Sequence, residues 1–171
     1  MTAAKRTKAS TDNGPKPRSV SRLAAVQALY QMDMAGTDLT DVIEEFVESR
    51  LTQEPDPEGA DANGLEGADA TFFADILRGV GRRQRDIDPM IDEQLATGWR
   101  LVRVDSILRA ILRGGVFELM ERNDVPARVV INEYINVAHA FFNEEEPKVV
   151  NGMLDKIAHV LRAKEFEPDR L

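Results

Sequence analysis

Between Leu23 and Leu161, outside residues 52–70, the large apolar residues recur every three or four positions, and that period admits one kind of local structure, the helix with one buried face. Leu23, Val26, Tyr30 and Met34 form a first stripe. Leu39, Val42, Ile43, Phe46 and Val47 form a second, with Thr37 or Asp38 placed to cap it. Phe72, Phe73, Ile76, Leu77 and Val80 form a third, which Gly79 or Gly81 is expected to end. Ile87, Met90, Ile91 and Leu95 follow, with Gly98 as the stop. Val104, Leu108, Ile111, Leu112 and Leu119 run on to Arg122. Asn123-Asp124 is expected to cap the next segment, with Pro126 in its first turn. That segment carries two adjacent stripes, Val130, Tyr134, Val137 and Phe141 beside Ile131, Ile135, Ala138 and Phe142, which predicts a helix buried on most of its circumference. The last helix is expected near Pro147, with Val150, Met153, Leu154, Ile157 and Leu161 inward. No alternating strand pattern, hairpin dipeptide or internal repeat interrupts the series. The expectation is an all-α fold of about seven helices.

The chain has 171 residues, a length that suits a single domain. Two stretches lack the apolar residues needed to offset ordering the backbone. Residues 1–17 contain no aliphatic side chain larger than Ala after Met1 and are expected to be a disordered basic arm. Thr52–Ala70 holds six carboxylates, no Lys or Arg, two Pro and three Gly, with Leu65 its one large apolar residue. It reads as a disordered acidic insertion, removable from Pro55 to Gly67 with little loss of stability. The helical domain is then 18–165, followed by a tail over 166–171.

Charge is distributed unevenly. Residues 1–22 hold six cations against Asp12, a balance of +5, so the other 149 residues carry −13 of the net −8. A basic arm on an acidic body is suited either to a polyanion or to remaining a solvated tail.

Enzyme chemistry finds little material here. There is no cysteine, no glycine-rich phosphate loop, no GxSxG elbow and no HExxH. His139 and His159 both fall on helices as surface or boundary residues. Glu144-Glu145-Glu146 could hold a divalent cation, although carboxylates at a helix start also complement the helix dipole. No cofactor is implied. No apolar run approaches the roughly 20 residues of a membrane span, and no apolar segment follows the N-terminal charges as it would in an export signal.

Three features ask for close contacts or ligands. Gly114-Gly115 inside a helix costs roughly 1 kcal/mol per residue against Ala, which points to a close neighbour, either a core helix or a ligand. Arg78, Arg82, Arg83 and Arg85 are placed either to offset a helix C-terminus or to meet nucleic acid. Asn151, beside Val150 in the last stripe, is expected to be hydrogen-bonded near the core. The first helix is the most suggestive element. Arg18 and Arg22 lie one turn apart, Lys16 precedes them, and Tyr30 follows two turns on. Arginines for phosphates beside an aromatic for a base make a workable single-stranded RNA surface. Equally, Tyr30 can belong to the core stripe with its hydroxyl exposed.

Five blocks in order resemble the NusB family of transcription antitermination factors. They are Ser21-Arg22-Leu23-Ala24-Ala25-Val26-Gln27-Ala28-Leu29-Tyr30-Gln31; Phe73-Ala74-Asp75-Ile76-Leu77-Arg78-Gly79-Val80; Arg109-Ala110-Ile111-Leu112-Arg113 with Phe117-Glu118-Leu119; Asp124-Val125-Pro126 with Val130-Ile131-Asn132-Glu133-Tyr134; and Lys148-Val149-Val150-Asn151-Gly152-Met153-Leu154-Asp155-Lys156. The resemblance covers about residues 18–162. It implies two packed helical subdomains and a bacterial cytoplasmic RNA-binding factor that is not an enzyme. Such a factor pairs with the ribosomal protein NusE, grips the single-stranded boxA element of ribosomal RNA leaders, and joins the RNA polymerase antitermination complex, with no membrane contact. It also implies that Lys16, Arg18, Arg22, Tyr30 and Phe141 carry the RNA, which moves Tyr30 towards function.

The chain departs from the family pattern in places. Ser19, Val20 and Ser21 separate two arginines where the family clusters several, and Val149 replaces a common aromatic in what reads as a core change. Two other readings remain. One is a helical adaptor that binds only protein. The other is the detached N-terminal domain of a ribosomal-RNA cytosine methyltransferase, since no Rossmann-like segment follows before Leu171.

Overall fold

The computed structural model describes residues 16–51, 64–95 and 104–168. Among them the chain forms six α-helices and no strand. They are α1 (Pro17–Ala35), α2 (Leu39–Glu45), α3 (Ala70–Gln94), α4 (Ser106–Glu121), α5 (Ala127–Phe141) and α6 (Glu145–Leu161), closed by a 3₁₀ turn over Ala163–Phe166. The expectations for residues 1–15, for 52–63 and for Gly98 lie outside the described residues.

Local signals set most of the boundaries. Pro17 opens α1, where its missing N–H and fixed φ suit the first turn. Gly36 closes it at φ 65°, and its N–H donates to Met32 O. Asp38 accepts from Thr40 N to start α2, Asp69 accepts from Phe72 N to start α3, and Asp105 accepts from Ile107 N to start α4. Beyond α2 one wider turn follows, with Leu51 N donating to Phe46 O at 2.8 Å.

The third and fourth expected helices are one 25-residue helix, α3. Gly79 does not end it. A Cβ there would lie 2.0 Å from Phe117 Cε2, so this glycine lets α4 press its ring against the α3 backbone. Pro89 continues the helix from an exposed position, and the buried Ile87 and Ile91 flank it. Gly114 and Gly115 play the packing role in α4. Added Cβ atoms would come within 2.9 Å of Tyr134 and 2.8 Å of Leu154.

The helix enclosed on all sides is α4 rather than α5. Gly114 to Leu119 are buried without a break, and α4 packs against α1, α3, α5 and α6. Helix α5 buries one face through Val130, Ile131, Tyr134, Val137 and Ala138, while Ile135, Phe141 and Phe142 are half-buried. The halves α1–α3 and α4–α6 share one continuous core.

Asn123 and Asp124 do not cap α5. Its first N–H, on Ala127, donates instead to Glu165 Oε1 at 3.1 Å. Next to Glu165, Arg162 is buried and seals the end of α4, donating to the carbonyls of Leu119, Glu118 and Arg122 at 2.8, 3.1 and 2.8 Å. It also donates to Val125 O and to Glu165. Of the segment expected as a tail, 166–171, Phe166 closes the 3₁₀ turn and stacks on His159 with ring centroids 3.9 Å apart. The acidic insertion ends earlier than expected, because Leu65 is fully buried in the core. Asn151 and Val149 are exposed on α6, not held in the core. Among the described residues no helix is long and apolar enough to cross a membrane. None of their carboxylates and histidines group to hold a metal.

Candidate nucleic-acid interface

Helix α1 and its N-cap Lys16 carry four of the five expected RNA residues, and the packing separates them. Lys16 is exposed at its N-terminus. Arg18, 44% exposed at its side chain, donates from Nη1 to Asp124 Oδ2 at 3.2 Å and lies 4.6 Å over the Phe72 ring. Arg22, one turn on, points inward and is 3% exposed. Its Nε and Nη2 donate to Glu118 Oε2 and Oε1 at 2.8 and 2.9 Å, and Glu133 stands 3.6 Å from Nη1. Burial works against the Arg22 charge, yet Glu118, Tyr134 and Glu133 together outweigh it, so its pKa stands above the ordinary arginine value. The expected surface arginine is therefore a core ion pair. It offers no fork to a phosphate, because the α4 carboxylate already fills it.

Burial also holds the Tyr134 phenol well above its usual pKa, with the Glu118 charge adding to the effect. This Arg22–Glu118–Tyr134 cluster joins α1, α4 and α5. Glu118 is the residue that sequence reading missed. The available signal was a carboxylate between Phe117 and Leu119 in an otherwise apolar run, which requires a buried partner.

Tyr30 and Phe141 are brought to the same place. They line one open cleft of about 410 Å³ with Val26, Met34, Ile107 and Arg50. Tyr30 is 37% exposed and Met34 62%, so the apolar edge of the cleft faces water. The cleft is held from below. Gln31 donates to Glu45 at 3.0 Å, Arg50 donates to the same carboxylate at 3.3 Å, and the Arg50 guanidinium covers Phe46 at 4.5 Å. Gln27 also faces this cleft. A planar aromatic guest would find an exposed ring, a flexible thioether and amide groups here. Arg18 lies twelve residues before Tyr30, roughly 18 Å away along the helix axis at about 1.5 Å per residue. The arginine end and the aromatic cleft are thus two separate parts of one helix surface.

The remaining basic residues are mostly engaged. Arg82 pairs with Glu121, and Arg83 lies 3.4 Å from Asp86. Arg78 and Arg85 are exposed along α3, in mid-helix rather than at its end. His139 and His159 are exposed on α5 and α6.

A model of the NusB family matches residues 19–159. The chain is 50% identical over 158 residues to the transcription antitermination protein NusB of Allorhizobium ampelinum, covering 89% of this chain and 96% of that one. It is 49% identical over 154 residues to its counterpart in Rhodopseudomonas palustris, covering 87% and 83%. T. maritima NusB superposes with a TM-score of 0.69 at 29% identity, over 91% of this chain and 100% of that one. A chain from a crystal structure of antitermination factors NusB and NusE with double-stranded RNA shares the fold, with a TM-score of 0.66 at 22% identity over 83% and 96%. The packing is that of a small all-helical fold, and the matches place it among the transcription antitermination proteins it resembles. The chain belongs to the NusB family.

Proposed function

We propose that this protein binds the single-stranded boxA element of ribosomal RNA leaders together with the ribosomal protein NusE, and so supports read-through by RNA polymerase in the bacterial cytoplasm. The observation that carries the reading is the cleft that Tyr30 and Phe141, far apart in sequence, line together. An unstacked base on Tyr30, with phosphates running towards Arg18 and Lys16, passes the half-buried side chains of Gln27, Leu23 and Ser19 on α1. Arg22 supports this surface from beneath, fixing α1 against α4, and makes no contact with RNA. The complex of NusB and NusE with double-stranded RNA among the structural neighbours supports the choice of NusE and of RNA as partners, and the single-stranded form is this proposal's own.

The −13 body repels RNA, so the protein alone is expected to bind weakly and the NusE complex more tightly. The test is a filter-binding titration of boxA and scrambled RNA, with and without NusE. Preference for boxA in the presence of NusE supports the reading. Equal, salt-insensitive binding of both RNAs favours the protein-only adaptor.

A further inference from the structure

One carboxylate oxygen in the turn between α4 and α5 occupies a position built for an anion. Asp124 Oδ2 accepts from Arg18 Nη1 at 3.2 Å and from Arg122 Nη2 at 3.0 Å. The two guanidiniums come from opposite halves of the chain and lie over the same ring, that of Phe72, at 4.6 and 5.1 Å. Phe72 is buried, so the platform is fixed, and Arg122 is anchored further by Asp75 at 3.3 Å. The Asp124 side chain is more than half exposed, at 53%. Its carboxyl is held below the ordinary aspartate pKa: slight burial opposes this, and the Arg18 hydrogen bond and the Arg122 charge outweigh it.

We propose that Arg18 and Arg122 form a seat for a phosphodiester of bound RNA, and that Asp124 fills this seat in the free protein as a tethered competitor. Two converging guanidiniums on an aromatic platform bind a phosphate through charge-assisted hydrogen bonds, as they bind a carboxylate. Asp124 can leave at small cost, because exposed ion pairs are weak and its carboxylate returns to water. The seat adjoins Lys16, where the basic N-terminal segment with Lys5, Arg6 and Lys8 joins the fold. The competitor lowers affinity for any polyanion. A single phosphate contact is then insufficient, and binding depends on the base in the Tyr30 cleft. The inference rests on the RNA reading above and adds to it a residue, Arg122, and a restraint, Asp124.

The test compares wild type, Asp124→Asn, Arg122→Gln, Arg122→Lys and the double variant Arg122→Gln/Asp124→Asn. Each is titrated with boxA and scrambled RNA at several salt concentrations in the presence of NusE, and thermal melts verify folding. Asp124→Asn is expected to tighten both RNAs about three- to tenfold, the size of two weak surface pairs released. Arg122→Gln is expected to weaken both alike and flatten the log–log salt slope by about 0.7, and Arg122→Lys to restore that slope. The double variant should lose the gain. Unchanged or weaker binding by folded Asp124→Asn, or a gain that survives Arg122→Gln, overturns the seat while leaving RNA binding intact. A wild-type complex with no salt-dependent RNA binding overturns the RNA reading itself.

Discussion

Arg22 and Glu118 are joined by two parallel hydrogen bonds of 2.8 and 2.9 Å at a point where both side chains are almost wholly out of water. The pair fastens the first helix to the central one. It also determines which way α1 is rotated, and hence that Tyr30 faces outward.

A buried charge left alone costs far more than a buried pair contributes. Glu118→Ala or Arg22→Ala should therefore lower unfolding free energy by about 3–5 kcal/mol. The double variant Arg22→Met/Glu118→Leu should recover most of that loss. Urea denaturation of the three proteins checks this. An Arg22→Ala variant with unaltered midpoint and a flattened RNA salt slope would place the side chain at the surface.

Two glycines should respond in opposite ways. Gly79→Ala pushes a methyl into Phe117 and should cost about 1–3 kcal/mol despite better helix propensity. Gly152 is exposed within α6 and a Cβ there meets nothing within 4 Å. Gly152→Ala should stabilise by up to about 1 kcal/mol. Melting temperatures of both variants decide the matter, and stabilisation by both would contradict the close approach of α3 and α4.

Tyr30→Ala should weaken boxA binding by the value of one stacked base, about 1–3 kcal/mol, with a much smaller effect on stability because the ring is partly exposed. Tyr30→Phe keeps the ring and should retain most affinity while narrowing the preference for boxA over scrambled RNA. Equal affinity of wild type and Tyr30→Ala would remove the cleft from the interface.

Glu165 gives the fold a defined acid response. The hydrogen bond from Arg162 depresses its pKa, burial opposes this weakly, and the Ala127 N–H adds to the depression. Because the folded value lies below the unfolded one, its contribution is present above the ordinary glutamate value of about 4.3 and is lost as pH falls through the folded value. The difference in urea midpoint between wild type and Glu165→Gln should accordingly shrink between about pH 5 and lower pH. A constant difference across that range would mean that the carboxylate charge plays no part.

The helices were legible because each needs one apolar stripe, and stripes are written locally. Pairings between distant residues were not. Gly79 looked like a stop because the sequence does not show that Phe117 needs its space. Arg22 and Arg18 looked alike at one-turn spacing, and only the position of Glu118, ninety-six residues from Arg22, separates a core ion pair from a surface cation. Tyr30 stood out on the first helix with a core reading equally open, Phe141 was named through resemblance alone, and their shared cleft emerges only from the packing of α1 beside α5. Leu65 was visible as the lone large apolar residue of an acidic stretch, yet composition around it masked its role in the core.

Arg162 seals the end of α4 from forty residues further along the chain. During synthesis, the central helix therefore emerges from the ribosome well before the group that closes its last turn. A nascent chain that has reached α5 exposes unfinished carbonyls and an unclosed core. Premature termination just short of Arg162 would leave nearly every helix encoded but the central one open. Such fragments should be degraded quickly, so that only completed chains accumulate.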